Sequence, residues 1–354
     1  MKKRIVYIDI LKILACALVI LLHCTTSSWG ATNPDSIRFL TQNLFATLAR
    51  PCVNLFVMVT GALILSSTKE ISITNSIKKA LNFIVLVIIW SVFYMFTNNH
   101  ELVFSGTFNY LQGLKQALTN PENHLWYLIM LAGLYLLMPF IQTIIKDSKK
   151  VTYLIVLFFV FDISVQLLAD NLNINYFDYY IENISISFKY IGYLVLGYYL
   201  STKEFSKVQK RIIYALGISS VCIIYVVVQI LSVRTGEKIT DLYSYFSMPT
   251  FFYSAALFVL VKNICNHLPD KEYKFLTMLS NCTFGIYLIH IAIMRLIIEY
   301  LFDIRDFPAI LSIPSLFLLV FAISLLIVYV IQKIPYLKNI VSPSIFKSSK
   351  KCKK

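Results

Sequence analysis

The sequence predicts an all-α, polytopic membrane protein of about ten transmembrane helices with both termini cytoplasmic. Composition is the first ground: 58% of its 354 residues are hydrophobic and only 14% are charged, and the mean hydropathy is +0.71. A soluble domain sits nearer half apolar and a quarter charged. The second ground is the recurrence of apolar runs of about 18 or more residues along the whole length. The third is the distribution of basic residues between those runs.

Ten spans are read, at about 7–29, 39–65, 80–97, 124–145, 151–168, 184–201, 212–232, 246–263, 275–301 and 309–332. With a cytoplasmic N-terminus, the inward connections and tails hold 23 of the 32 Lys and Arg, and the outward ones hold five. The remaining four (Lys12, Arg50, Lys189 and Arg295) lie within spans. That asymmetry orients the chain by the positive-inside bias. It also accounts for the net charge of +14, because no basic face is interleaved with aromatics as nucleic-acid binding requires. Residues 1–335 read as one membrane-embedded domain, and 336–354 as a basic cytoplasmic tail.

The first span begins after MKKR, which imitates a secretory signal. Asp9 and Lys12 interrupt the apolar run and no cleavage signature follows His23, so a retained span is expected. Lys12 and His23 are eleven residues apart, which on an α-helix places them about 20° apart around the axis and about 16 Å apart along it. One face thus carries a cation near one membrane surface and an imidazole toward the other. Lys12 snorkelling with Asp9 as its partner, and a His23 hydrogen-bonded within the core, are the structural alternatives.

The second span contains Arg50-Pro51, and proline both removes a helix hydrogen bond and disfavours helix geometry before it. A helix break carrying a permanent cation is expected. Arg50 is there either an anion or oxyanion stabiliser or the partner of an acid such as Asp162. The third span begins beside Lys78-Lys79. His124, Trp126 and Tyr127 open the fourth, as site-lining residues or as an interfacial aromatic belt. The outward connections, roughly 98–123 and 169–183, carry Asn, Asp and Tyr and suit a lid or a sugar-facing rim. In the ninth span His290 lies deep with Tyr287 before it, while Arg295 and Glu299 are spaced for an i, i+4 salt bridge.

Charge within a membrane span is a functional signal. Several chemistries are nevertheless excluded. There is no GxSxG elbow, P-loop or HExxH, and Ser28 stands where an HxxxxD motif starting at His23 would need its acid. No metal site is expected, and the seven cysteines form no CxxC pair. The remaining set of histidines, one arginine at a kink and one lysine suits acid/base work and anion handling. A transporter or flippase is the competing class, disfavoured by the sparse intramembrane acids and by the lack of an internal repeat.

YIDILKILACALVILLHC, with Lys12 and His23 in an Arg/Lys-x10-His arrangement, resembles the first span of the acyltransferase family 3 membrane proteins. RPCVNLFVMVTGALIL is similar to that family's "plFfmiSG" run, and HLWYLIMLAGLYLLMPFI and FGIYLIH match two further landmarks in order. The resemblance implies a multi-pass enzyme of the bacterial plasma membrane. It would move an acetyl or similar short acyl group from cytoplasmic acyl-CoA to a hydroxyl of a cell-surface carbohydrate. No bound cofactor is implied, since acetyl-CoA is a co-substrate. By position, His23 would be catalytic, with Lys12 its basic partner and Arg50 in the second-span motif. An RxR-type pair at the third span is replaced here by Lys78-Lys79, which would meet donor phosphates as point charges without a bidentate fork. His124, Trp126, Tyr127, Tyr287 and His290 are read as acceptor-binding or site-lining residues.

Overall fold

The architecture was analysed in a computed structural model, which describes residues 5–67, 69–160, 189–269 and 273–343. Among these residues there are thirteen α-helices and no strand. They are α1 (Val6–Thr26), α2 (Ile37–Ala49), α3 (Cys52–Ile64), α4 (Ile73–Asn98), α5 (His100–Phe104), α6 (Tyr110–Thr119), α7 (Trp126–Ile144), α8 (Ser148–Phe158), α9 (Ile191–Thr202), α10 (Lys207–Thr235), α11 (Met248–Cys265), α12 (Lys274–Tyr300) and α13 (Ala309–Lys333). Among the described residues, eight spans are long and apolar enough to cross a membrane, counting α2 with α3 as one. They correspond to eight of the ten read from the sequence. The other two, at 151–168 and 184–201, fall partly outside the described residues and are represented there by α8 and α9.

The break at Arg50-Pro51 is present. α2 ends at Ala49 and α3 begins at Cys52, as expected where proline cannot donate a backbone hydrogen bond. Past the break, α3 packs on α9 at very short range. A Cβ at Gly61 would lie 1.8 Å from the Leu194 carbonyl oxygen, and one at Gly197 would lie 2.0 Å from that of Met58. Each helix thus offers a glycine to the other's backbone, the small-residue contact by which membrane helices gain packing without a hydrophobic driving force. Buried carboxamides tie α2 and α3 to the connection before α11. Asn54 Nδ2 donates to the Tyr245 carbonyl at 3.0 Å, and Tyr243 donates its hydroxyl to Asn43 Oδ1 at 2.6 Å.

One end of the bundle gathers the starts of α1, α4 and α12 and the end of α13. Ser280 donates to Asp9 at 2.5 Å, and Gln332 to the Asn281 carbonyl at 3.0 Å. The chain after α13 stays on this end: Val341 is buried and the Ile340 carbonyl accepts from Trp90 Nε1 at 3.0 Å. Of the basic tail, residues 339–342 are therefore packed on the bundle, and the SIFKSSKKCKK end lies outside the described residues. α1 runs from this terminal end to the opposite one and packs against α12 and α3. Its two polar landmarks are thereby carried to two different depths.

Candidate active site

The buried histidines converge. His23 on α1 and His290 on α12 have ring centroids 5.2 Å apart. His124, just ahead of α7, lies 5.4 Å from His290. His290 is fully buried and His124 nearly so. Backbone carbonyls fix their tautomers, because a carbonyl can only accept. His290 Nδ1–H donates to the Tyr287 carbonyl at 2.7 Å, and His124 Nε2–H donates to the Leu288 carbonyl at 3.4 Å. The other nitrogens, His290 Nε2 and His124 Nδ1, are then lone-pair acceptors, and neither has a hydrogen-bond partner among the described residues. A buried polar group left unpaired costs about 1–3 kcal/mol. Two such groups around a third imidazole mark a site rather than a packing accident.

His23 is only half-buried, and no hydrogen bond to its ring nitrogens is found among the described residues. It faces a chamber of about 150 Å³ that it shares with Cys52, His124, Trp126, Tyr127 and Tyr287. Tyr245 also lines this chamber, its ring 6.2 Å from that of Trp126. Tyr287 donates its hydroxyl to the His124 carbonyl, which ties the start of α7 to α12. Tyr94 donates to the same Leu288 carbonyl as His124, at 2.9 Å, and its ring lies 5.1 Å from the imidazole.

A second cavity, of about 640 Å³, opens at the terminal end of the bundle and is lined by Lys12, Ser280, Gln332 and Lys338 among others. Phe56, Tyr127 and Tyr287 line both cavities. Their rings form a triangle with centroid separations of 5.8 Å, 6.3 Å and 5.5 Å. A three-ring partition thus separates a Lys-bearing vestibule from the His23 chamber. Helix geometry alone placed Lys12 and His23 on one stripe, and the structure puts one on each side of this partition. Lys79 reaches the vestibule's edge, with its ammonium 3.3 Å from the Pro343 carbonyl. Lys78 is exposed on the same helix.

Arg50 is not among the residues lining the chamber. Its guanidinium stacks 4.4 Å over the Tyr243 ring. It donates to the Tyr243 carbonyl at 3.2 Å and to the Ala46 carbonyl at 3.1 Å, capping the broken end of α2. Asp162, its alternative partner, lies outside the described residues. One expectation is corrected: Arg295 pairs with Glu122 and not with Glu299. Its Nη2 and Nη1 meet the two carboxylate oxygens at 2.6 Å and 3.1 Å, while Asn98 donates to Glu122 at 3.0 Å. A bidentate fork with a third donor outweighs an exposed i, i+4 pair, and Glu299 sits beside His100 at 3.4 Å. Burial raises the Glu122 carboxyl's pKa, but the Arg295 and Asn98 hydrogen bonds prevail and hold it below its ordinary value.

A half-buried imidazole with open nitrogens, backed by two buried histidines that each keep one nitrogen without a partner among the described residues, is suited to taking and returning a proton. The family model described as an acyltransferase domain matches residues 5–331. The chain belongs to acyltransferase family 3. It is a multi-pass membrane acyltransferase, and the matched region includes every lining residue of both cavities apart from Gln332 and those contributed after α13. No curated protein and no solved structure matches the chain. Sequence reading of this family 3 acyltransferase singled out each histidine, and packing shows that they form one cluster. Phe56, Tyr94, Tyr245 and Lys338 were missed. Phe56 had a signal in its place within the second-span motif, whereas the others are indistinguishable in sequence from interfacial aromatics and tail lysines.

Proposed function

We propose that this acyltransferase moves an acetyl or similar short acyl group from cytoplasmic acyl-CoA to a hydroxyl of a cell-surface glycan or its lipid-linked precursor. The observation that supports this most directly is the pair of cavities meeting at Phe56, Tyr127 and Tyr287, with cations on one side and a free imidazole on the other. The positive-inside charge distribution supports a vestibule that faces the cytoplasm, where acyl-CoA is available. Lys12 and Lys338 meet the phosphates of the donor, with Lys78 and Lys79 at the rim, and the thioester end reaches the aromatic partition. An acceptor hydroxyl enters the His23 chamber from the opposite end.

His23 takes the hydroxyl proton as the acceptor oxygen attacks the thioester carbonyl carbon. The carbon–sulfur bond breaks, and the proton passes to the leaving CoA sulfur. Tyr127, which faces both cavities, donates to the developing oxyanion. His290 is a positioning residue: its Nε2 lone pair accepts an N–H from His23 and stabilises the imidazolium that forms. Arg50 holds the α2–α3 break through Tyr243 and so sets the wall of the chamber.

Binding of labelled acetyl-CoA to the purified chain tests the donor assignment. Saturable binding that weakens in Lys12→Ala and Lys338→Ala, but not in His23→Ala, is expected. Absence of binding to the wild type refutes it.

A further inference from the structure

A third cavity, of about 800 Å³, lies between α4 and α6 at the end of the bundle opposite the Lys12 vestibule. Its chemistry differs from that of the other two. Asn98 and Asn99 from the end of α4 and just past it, Gln112, Gln116 and Asn120 from α6 and its end, and Asn123 all line it. Among the lining residues only Glu122 is ionisable near neutral pH, and Arg295 already satisfies it. The side-chain amides of Gln112, Gln116, Asn120 and Asn123 make no hydrogen bond among the described residues. A carboxamide offers both donors and acceptors, as a hydroxyl does. Several of them around one cavity, with no free cation, suit a neutral polyol and disfavour a phosphate or carboxylate.

Helix geometry supports the orientation of this wall. Gln112, Gln116 and Asn120 recur every four residues along one face of α6 and its end, and Leu111, Leu114 and Leu118 lie on the other; both sets are exposed. An interfacial amphipathic helix has this division, with its leucines toward lipid and its carboxamides toward the cavity. Phe108 supplies a flat apolar surface on the cavity wall. Its ring is seated on Gly113, where an added Cβ would come within 2.3 Å of Cζ. The cavity also adjoins the histidine cluster. Asn123 lines both this cavity and the His23 chamber, and Tyr94 on its wall touches His124.

We infer that the α4–α6 cavity is the acceptor site and that it takes an uncharged, multiply hydroxylated carbohydrate, presenting one hydroxyl past Asn123 to the His23 chamber. This rests on the acyl-transfer reading for the purpose of the site, but not for its ligand. The outward connection 98–123, with its Asn content, is the stretch that builds the pocket.

The test uses the full chain in lipid nanodiscs, with saturation-transfer NMR on neutral N,N′-diacetylchitobiose and on anionic digalacturonate. Chitobiose is expected to receive saturation, and its contact should weaken at least tenfold in a Gln112→Ala, Gln116→Ala, Asn120→Ala variant. Ala117→Trp, which fills the cavity without removing a polar group, should do the same. His23→Ala should leave the contact intact, and acetyl-CoA binding should be unchanged in both pocket variants. Presenting the same disaccharide on a lipid in the disc distinguishes a membrane-anchored acceptor, bound at least tenfold tighter, from a soluble one, bound equally. The inference is overturned if neither sugar makes contact, if digalacturonate binds better, or if chitobiose contact survives both variants. If instead acetyl-CoA fails to bind while chitobiose contact maps to this cavity, the acyl-transfer reading falls and the carbohydrate site stands.

Discussion

Replacing His290 by leucine separates a functional imidazole from a packing one. In the native protein His290 is fully buried, with Nδ1–H bonded to the carbonyl of Tyr287 and Nε2 unpartnered. The substitution removes an orphaned acceptor, worth about 1–3 kcal/mol of relief, and one hydrogen bond, worth about 0.5–1.5 kcal/mol. The Tyr287 carbonyl keeps its α-helical partner, and leucine fills a similar volume in an apolar setting. The two contributions leave His290→Leu between about 0.5 kcal/mol less and about 2.5 kcal/mol more stable than the wild type. Acyl transfer should nevertheless fall by about 10²-fold or more, since acid/base groups contribute roughly that much. The loss should appear in kcat and in the pH profile, with KM for acetyl-CoA preserved. Thermal unfolding in detergent and transfer of labelled acetyl read the two effects on one preparation. A variant that is clearly destabilised, or one that is equally stable and within threefold of wild-type activity, refutes the argument that His290 is held for proton handling.

Other consequences follow from particular contacts. Lys12→Ala should raise KM for acetyl-CoA by about tenfold with little change in kcat, the cost of about one charge-assisted hydrogen bond; steady-state kinetics at varied donor concentration would show it. Gly197→Ala should destabilise the protein by about 2 kcal/mol or more, because its Cβ would fall 2.0 Å from the Met58 carbonyl oxygen and neither backbone can yield cheaply; unfolding midpoints measure this. Glu122, held below its ordinary value near 4.5, favours the folded state when ionised. Its contribution should be complete above about pH 4.5 and be lost as the pH falls through the depressed value. Stability of the wild type should drop in that acidic window relative to Glu122→Gln, in unfolding curves taken across pH.

The membrane fold was legible because hydropathy and charge asymmetry are properties of the chain itself. Arg50-Pro51 announced its break for a local reason, the missing amide of proline. The Lys12–His23 stripe was legible because helix geometry depends only on spacing. What the spacing could not show is convergence. His23, His124 and His290 lie far apart in sequence, and only the folded chain brings the rings of His23 and His124 to 5.2 Å and 5.4 Å from that of His290. The Arg295 assignment went astray for the same reason. The i, i+4 rule weighs a local partner, whereas Glu122 reaches the guanidinium from a preceding connection with both oxygens. The partition ring Phe56 and the chamber ring Tyr245 are lost among 26 Phe and 23 Tyr until three-dimensional contacts select them.

The central claim is that an acyl group passes from a donor in the Lys12 vestibule to an acceptor hydroxyl activated by His23. Incubating native membranes with radiolabelled acetyl-CoA and counting label in the surface glycan, for the wild type and His23→Ala, tests it directly. The account predicts incorporation by the wild type and a loss of about 10³-fold in the mutant, with acetyl-CoA binding retained. Undiminished incorporation by His23→Ala would contradict it.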